Sequence, residues 1–503
     1  MANPLYDRLF GRHAGKDSTF LHLPDGTTLT HAAFLEMAAQ FAHVLVDQGL
    51  KPGDRMAMQV AKSPQALGLY AACAQAGVVF LPLNTAYTVD ELTYFIENSG
   101  SKLVVCDPNS EGALAPVAAN LDASMLTMGA DGAGSFANAA ANFAHEFDTV
   151  SRQNDDLAAF LYTSGTTGRS KGAMLTQANL MSNAETLSDY WQFTDQDVLL
   201  HALPIFHTHG LFVATNVTLA AGGSMIFLPG FDLDRIIEGM PRATTMMGVP
   251  TFYTRLLDDP RFTRDLTQHM RLFISGSAPL LAETHQRFEA LTGHRILERY
   301  GMTETNMNTS NPYNGERRAG TVGFPLPRVE LKITGADGNE VPQGEIGLIE
   351  VRGPNVFKGY WQMPEKTREE LRDNGFFITG DLGVIDADGY VSIVGRNKDL
   401  IISGGYNIYP KEIELVLDDQ PSVSESAVIG VPHPDFGETV IGVLVPEAGK
   451  SPDLAAIEQA VGKSLARFKH PRKLVVMDAL PRNTMGKVQK NILREQFKDA
   501  FAG

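Results

Sequence analysis

The chain has 503 residues, 44% hydrophobic and 20% charged, with 42 Lys and Arg against 58 Asp and Glu and a net charge of −16. That length exceeds what one hydrophobic core fills, so two or more domains are expected. The acidic balance argues against nucleic acid or an anionic membrane as partner, and two cysteines, Cys73 and Cys106, supply neither a disulfide framework nor metal-site spacing.

The first residues have no basic region leading into a long apolar core, so no signal peptide is expected, and a reduced, cytoplasmic setting fits the cysteine usage. The apolar stretch 67–83 is interrupted by Gln75, Gly77 and Pro82, which predicts a buried helix running into a core strand at 78–81 rather than a membrane span. A Gly/Ala/Asn-rich patch at 129–142 predicts a surface loop or weak helix. Next come a buried strand at 157–162 and a helix at 177–191. Strand-like runs at 198–203, 224–228, 244–249 and 272–275 then alternate with helix-like segments at 211–221, 233–240, 252–257 and 280–291. That alternation predicts an α/β fold of helix-covered, mainly parallel sheets. Short β-branched runs at 329–334, 347–351 and 390–394, with Asp-Gly turns at 337–338 and 388–389, predict a small antiparallel, barrel-like subdomain. Strands at 400–402, 426–430 and 440–445 and helices at 411–417 and 454–465 complete the chain as a small α+β lid. The expected boundary lies near Lys398, giving domains 1–397 and 398–503.

The richest segment is Thr163-Ser-Gly-Thr-Thr-Gly-Arg-Ser-Lys171, read as a turn between strand and helix. Glycines let backbone N–H groups approach an anion, hydroxyls donate further hydrogen bonds and Lys171 adds charge, so the turn suits phosphate. It is not the common G-x-x-x-x-G-K-[ST] loop: Ser170 stands at the second glycine's place and Gly172 follows the lysine. In Glu298-Arg-Tyr-Gly-Met-Thr-Glu304, an aromatic, a glycine turn, a hydroxyl and a carboxylate suit a base, a phosphate and Mg²⁺, with Glu304 the metal candidate. The alternative is a helix N-terminus with Glu304 compensating the dipole. Asp381, in Ile378-Thr-Gly-Asp, suits two ribose hydroxyls, and Arg396 a further donor to the same sugar. Lys487 stands on a glycine turn, Pro481-Arg-Asn-Thr-Met-Gly-Lys487.

In this order and at these separations the segments resemble the acyl-adenylate-forming superfamily, which includes acyl-CoA synthetases and peptide-synthetase adenylation domains, over nearly the whole chain. The resemblance implies a large N-terminal domain, a mobile C-terminal domain, ATP, Mg²⁺ and coenzyme A. It implies that a carboxylate attacks the α-phosphate of ATP and that a thiol then displaces AMP. By the same resemblance Thr163, Ser164, Gly165, Thr166, Thr167, Gly168 and Lys171 cradle the β- and γ-phosphates. Glu298, Tyr300, Gly301, Met302 and Thr303 lie along the nucleotide, with Tyr300 on one side of the adenine and Ser277, Ala278 and Pro279 on the other. Lys487 reaches the α-phosphate, Lys398 is the hinge, and Gly404 and Gly405 adjoin the pantetheine. Acylation of Lys487, which removes its charge, is an expected regulatory event.

Phe206-His207 occupies the place of the Phe-Asp pair whose aspartate binds an amino group in peptide-synthetase domains, which points away from amino acids and to CoA ligases. A carrier-loading adenylation domain is the less favoured alternative. Related ligases usually have a small residue where this chain has Arg299, on the floor of the acyl pocket. A guanidinium facing an aliphatic tail is an uncompensated buried charge, whereas facing a second carboxylate it is a bidentate anchor. The competing arrangement pairs Arg299 with a protein carboxylate such as Glu298 or turns it to solvent. Glu298 to Glu304, His207-Thr-His-Gly210 and Thr305-Asn-Met-Asn308 resemble malonyl-CoA synthetases. That resemblance implies malonate as substrate, with methylmalonate or another short acid as alternative, and Thr208 and Met307 limiting the space at C2.

Overall fold

The computed structural model describes residues 2–163, 170–335, 337–403, 406–434, 436–465, 467–483 and 486–501, with the backbone alone at 406–407. The chain divides into two units, one of Met1–Glu330 with Val351–Phe377 and one of Leu331–Glu350 with Ile378–Gly503.

Mainly apolar runs such as Val79–Pro82, Leu103–Cys106 and Leu272–Ser275, buried at every position, build the central strands of the first unit's sheets. One sheet has six strands in the order Ser124–Thr127, Leu103–Cys106, Arg55–Gln59, Val79–Pro82, Leu157–Thr163 and Lys171–Thr176. All neighbours are parallel except the last pair. Ala57, Val79, Leu81, Val104 and Phe160 pack from this sheet against Leu92, Phe95 and Ile96 of the helix Val89–Ser99. The stretch read as a buried helix and strand is the helix Pro64–Ala76 and the strand Val79–Pro82. Between them Gly77, at φ +71°, takes the left-handed conformation that ends the helix.

The other sheet has nine strands. Its six central strands, from Leu297–Met302 through Leu272–Ser275, Thr245–Gly248, Val198–His201 and Ser224–Phe227 to Thr19–His22, are parallel. Antiparallel strands flank them: Asn306–Ser310 and Phe324–Pro325 on one side, Thr28–Thr30 on the other.

Three local expectations change. The Thr163 to Lys171 segment joins two strands of a hairpin, with Thr163 paired to Lys171, and the helix Gln177–Tyr190 begins only after Lys171–Thr176. Antiparallel pairing satisfies the backbone of 171–176, and the Thr176/Asn179 capping box then starts the helix. The segment 297–302 is a strand, with a bulge between Tyr300 and Gly301, rather than a turn or a helix start. The helix expected from 211 begins as a seven-residue π-helix, His209–Thr215, before Asn216–Ala221 continues as α-helix.

A four-stranded sheet, most of whose residues belong to the second unit, orders Glu330–Thr334, Gly347–Arg352, Phe377–Ile385 and Val391–Arg396. A second sheet centres on the hairpin Val423–His433 and Gly437–Pro446. Strand alternation sends Val440 and Leu444 to one apolar cluster, with Ile413, Leu417, Ile457 and Val461. Ile441, Val443 and Val445 go to the other, with Leu480 and Leu493. The outcome is the expected mixed α/β fold, a large N-terminal part of mainly parallel sheets and a smaller C-terminal part.

Candidate active site

Phosphate-type chemistry gathers at the connecting end of the hairpin, where Thr163 pairs with Lys171. Lys171 is buried, with Nζ 3.2 and 3.3 Å from the two carboxylate oxygens of Glu370 and 4.1 Å from the Tyr360 ring centroid. Lys366 Nζ lies 3.0 Å from the same Glu370. The Tyr360 hydroxyl is 2.6 Å from Glu370 Oε2 and 3.0 Å from Glu304 Oε1, and the Thr163 hydroxyl is 3.4 Å from that Glu304 oxygen. Burial and the two carboxylates push the Tyr360 phenol far above its ordinary range, so its single proton stays in place as a bridge. Burial pushes Glu370 upward, but Tyr360, Lys366 and Lys171 outweigh it and hold the carboxyl below its usual value.

Thr163, Lys171 and Glu304 are thus brought together, and the residues that connect them, Tyr360 and Glu370, were not singled out in the sequence. The only local signal was Lys366 four residues before Glu370, the spacing of a helical ion pair. A buried carboxylate beside a hydroxyl suits Mg²⁺, which is held by one or two carboxylates together with phosphate oxygens. Among the described residues no group of three or more His, Cys, Asp or Glu is placed to hold a metal ion. Ser164, Gly165, Thr166, Thr167 and Gly168 lie outside the described residues.

A second cluster stands at the carboxyl ends of the parallel strands, the edge where open α/β sheets bind ligands. The strand Val198–His201 leads to His207, Thr208 and His209, and Leu272–Ser275 leads to Gly276, Ser277, Ala278 and Pro279. His209 Nδ1 is 3.2 Å from the Ser277 hydroxyl, and the His207 ring accepts the His209 backbone N–H at 3.3 Å. Arg299, on the strand Leu297–Met302, is 5% exposed. Its guanidinium lies over Gly276, where a Cβ would come within 2.3 Å of Cζ. On the facing strand Met307 is buried and stands opposite Gly301, where a Cβ would meet the Met307 methyl at 2.6 Å.

Arg299 Nε and Nη2 are buried without a hydrogen-bond partner in the protein, and so are Thr208 Oγ1, His209 Nε2 and Ser275 Oγ. Glu298 does not serve Arg299. Strand alternation turns its carboxylate to the opposite face, where His285 Nδ1 is 3.1 Å away and the Gly320 N–H donates at 3.3 Å. Burial pushes the Arg299 guanidinium down to about 9, opposed by Tyr253, so it keeps its charge at neutral pH. Burial and the neighbouring Arg299 push His209 well below its usual range, which leaves it neutral. Unpaired buried donors cost about 1–3 kcal/mol each, more when charged, and an anionic ligand group would recover that cost.

In the second unit Asp381 and Arg396 are register partners on adjacent strands, with Arg396 Nε 2.7 Å from Asp381 Oδ1. Lys398 is exposed within the short helical turn Asn397–Asp399. Lys487 is exposed on a tight turn, where its backbone N–H donates to Asn483 Oδ1 at 2.9 Å and its carbonyl accepts the Asn483 N–H at 2.9 Å. Gly404 and Gly405 lie outside the described residues.

Residues 10–361 match the AMP-binding enzyme family, and residues 412–487 match the AMP-binding enzyme C-terminal domain. The chain belongs to the AMP-binding enzymes. A feruloyl-CoA synthase of Amycolatopsis sp is 36% identical over 483 residues, 94% of each chain. A malonate–CoA ligase of Arabidopsis thaliana is 36% identical over 459 residues, 84% of this chain and 74% of that protein. The crystal structure of ATP-bound MatB from Rhodopseudomonas palustris is 58% identical, with a TM-score of 0.97 over 99% of this chain and 100% of that one. This AMP-binding enzyme is an AMP-forming acid–CoA ligase, using ATP with CoA as co-substrate and Mg²⁺ as its family does. Among its described residues no helix is long and apolar enough to cross a membrane.

Proposed function

We propose that this AMP-binding enzyme joins malonate to coenzyme A through a malonyl-adenylate. Identity alone does not choose the acid, since a feruloyl-CoA synthase and a malonate–CoA ligase are equally similar at 36%. The observation that carries the choice is Arg299, a buried guanidinium with two unpaired nitrogens at the carboxyl edge of the sheet. One malonate carboxylate pairs with it, which leaves the other to react. A carboxylate oxygen of malonate attacks the α-phosphorus of ATP, the bond from that phosphorus to the bridging oxygen breaks, and pyrophosphate leaves. The CoA sulfur then attacks the acyl carbon, and AMP leaves with the electron pair of the broken carbon–oxygen bond. The first step needs positioning and charge stabilisation more than covalent help.

Glu304, with Thr163 beside it, is the residue that would hold Mg²⁺, whose charge would offset that of the phosphates. Residues 163–168 and Lys171 bind the β- and γ-phosphates. Tyr300 and residues 277–279 flank the adenine, and Asp381, oriented by Arg396, accepts from the ribose. Lys487 serves the α-phosphate and the acyl oxygen, and its acylation is the proposed off switch. Gly404 and Gly405 adjoin the pantetheine. Pyrophosphate release measured with a panel of acids tests the reading: malonate should give the highest kcat/KM, ahead of methylmalonate and far ahead of butyrate and propionate. A wild-type preference for butyrate would leave only the broader acid–CoA ligase.

The proposed rotation about Lys398 has its own test. In Lys398→Pro, φ is held near −65°. Adenylation should survive while the thioester step fails, read as pyrophosphate release without malonyl-CoA. Normal overall turnover would place the hinge elsewhere.

A further inference from the structure

Lys62 lies between the strand Arg55–Gln59 and the helix Pro64–Ala76, and no part of the phosphate or acid site described above includes it. Its Nζ is 2.8 Å from His201 Nδ1, 2.9 Å from the His201 carbonyl and 2.9 Å from the Leu203 carbonyl. It also sits 4.3 Å from the Phe227 ring centroid. Among the described residues no carboxylate pairs with it.

The protons can be assigned from the acceptors. His201 Nε2 lies 2.9 Å from the Gly210 carbonyl, which only accepts, so Nε2 carries the hydrogen. Burial and the nearby Lys62 push His201 well below its usual range, so the ring is neutral and Nδ1 is bare. Lys62 therefore donates to Nδ1 and to two carbonyls, which uses all three ammonium protons. Burial pushes Lys62 well below its usual range, whereas its three neighbours are all acceptors and favour the protonated form.

The geometry closes a loop. Lys62 holds its first residues, His201 and Leu203, and His201 holds Gly210, where the loop enters the π-helix His209–Thr215. The Gly210 carbonyl also accepts the Thr215 hydroxyl at 3.0 Å, and a Cβ at Gly210 would meet the Pro204 carbonyl oxygen at 2.0 Å. The two ends of the loop are thus stapled together, and His207, Thr208 and His209 stand on the stapled segment. A lysine without a counter-ion is a costly way to tie a loop.

We propose that Lys62 is a positioning residue for acid selection. Acting through His201, it fixes the loop that presents Thr208 and His209 to the acid beside Arg299. This inference rests on the malonate reading of that site. In Lys62→Met, the KM for malonate should rise about ten- to a hundredfold, because a displacement of about an ångström is enough to lose such contacts. The KM for ATP should stay within about twofold and kcat within about threefold of wild type.

A malonate KM within about twofold of wild type, or an equal rise for malonate and ATP, would overturn the inference. If Lys62→Met does not fold, the pair His201→Gln and His201→Phe decides. Glutamine keeps an amide N–H for Gly210 and an oxygen for Lys62, so it should hold the malonate KM well below that of the phenylalanine variant, and equal values would sink the idea. Failure of the malonate reading shows instead in the wild type, which would then not favour malonate whatever stands at position 62.

Discussion

Arg299→Gly should lower kcat/KM for malonate by about 30-fold to several-thousand-fold, the equivalent of about 2–5 kcal/mol for a charge-assisted pair lost from a buried site. The site prepares for this size of effect. The guanidinium is 5% exposed, two of its nitrogens are unpaired, and the adjacent carboxylate of Glu298 is taken by His285. Among the described residues no carboxylate pairs with Arg299, so in the proposed reading the loss falls on malonate. The same variant should gain activity on butyrate, because an uncharged floor no longer penalises an aliphatic tail. Thr208 and Met307 variants should shift malonate against methylmalonate without admitting monocarboxylates, since they alter shape and leave the charge. Specificity constants on malonate, methylmalonate and butyrate check all of this, and an Arg299→Gly enzyme that keeps its malonate activity would refute the dicarboxylate anchor.

Lys487→Ala should reduce pyrophosphate release by about 100- to 1,000-fold or more, the range seen when one preorganised group is removed from a developing charge. Thioester formation from preformed malonyl-adenylate should be largely spared, because in the proposed role the lysine serves the α-phosphate only during adenylation. Its exposed position on a turn means that truncation removes charge and little packing, so a folding defect is not expected to obscure the result. Acylation of the same side chain should reproduce the loss. Equal damage to both half-reactions would refute the assignment.

Much of the fold was legible because it is written locally. Continuous apolar runs such as 78–81 and 272–274, as strands buried on both faces require, became Val79–Pro82 and Leu272–Ser275. Thr163, Lys171 and Glu304 were also legible as chemistry, since hydroxyl, ammonium and carboxylate groups on glycine-rich segments suit phosphate and Mg²⁺ wherever the fold puts them. Local pattern failed at 171–176, where the same residues fit a loop or a strand until the partner strand supplies hydrogen bonds. It failed again at His209–Thr215, where the π-turn depends on hydrogen bonds from His201 and on the approach of Pro204 to Gly210.

By itself, then, the sequence determined the alternation of elements, the phosphate-type motifs and the presence of an arginine where related ligases carry a small residue. Only the tertiary structure decided which charges are paired. Lys171 meets Glu370 across 199 residues and Lys62 meets His201 across 139, distances in sequence over which no periodicity carries information. Glu298 is adjacent to Arg299 in the chain, yet it is kept from it because neighbouring side chains of a strand face opposite sides of the sheet. Among the described residues sheet order and strand alternation together leave Arg299 without a carboxylate, and that isolation is the physical reason a buried cation there supports the proposal of an anionic substrate.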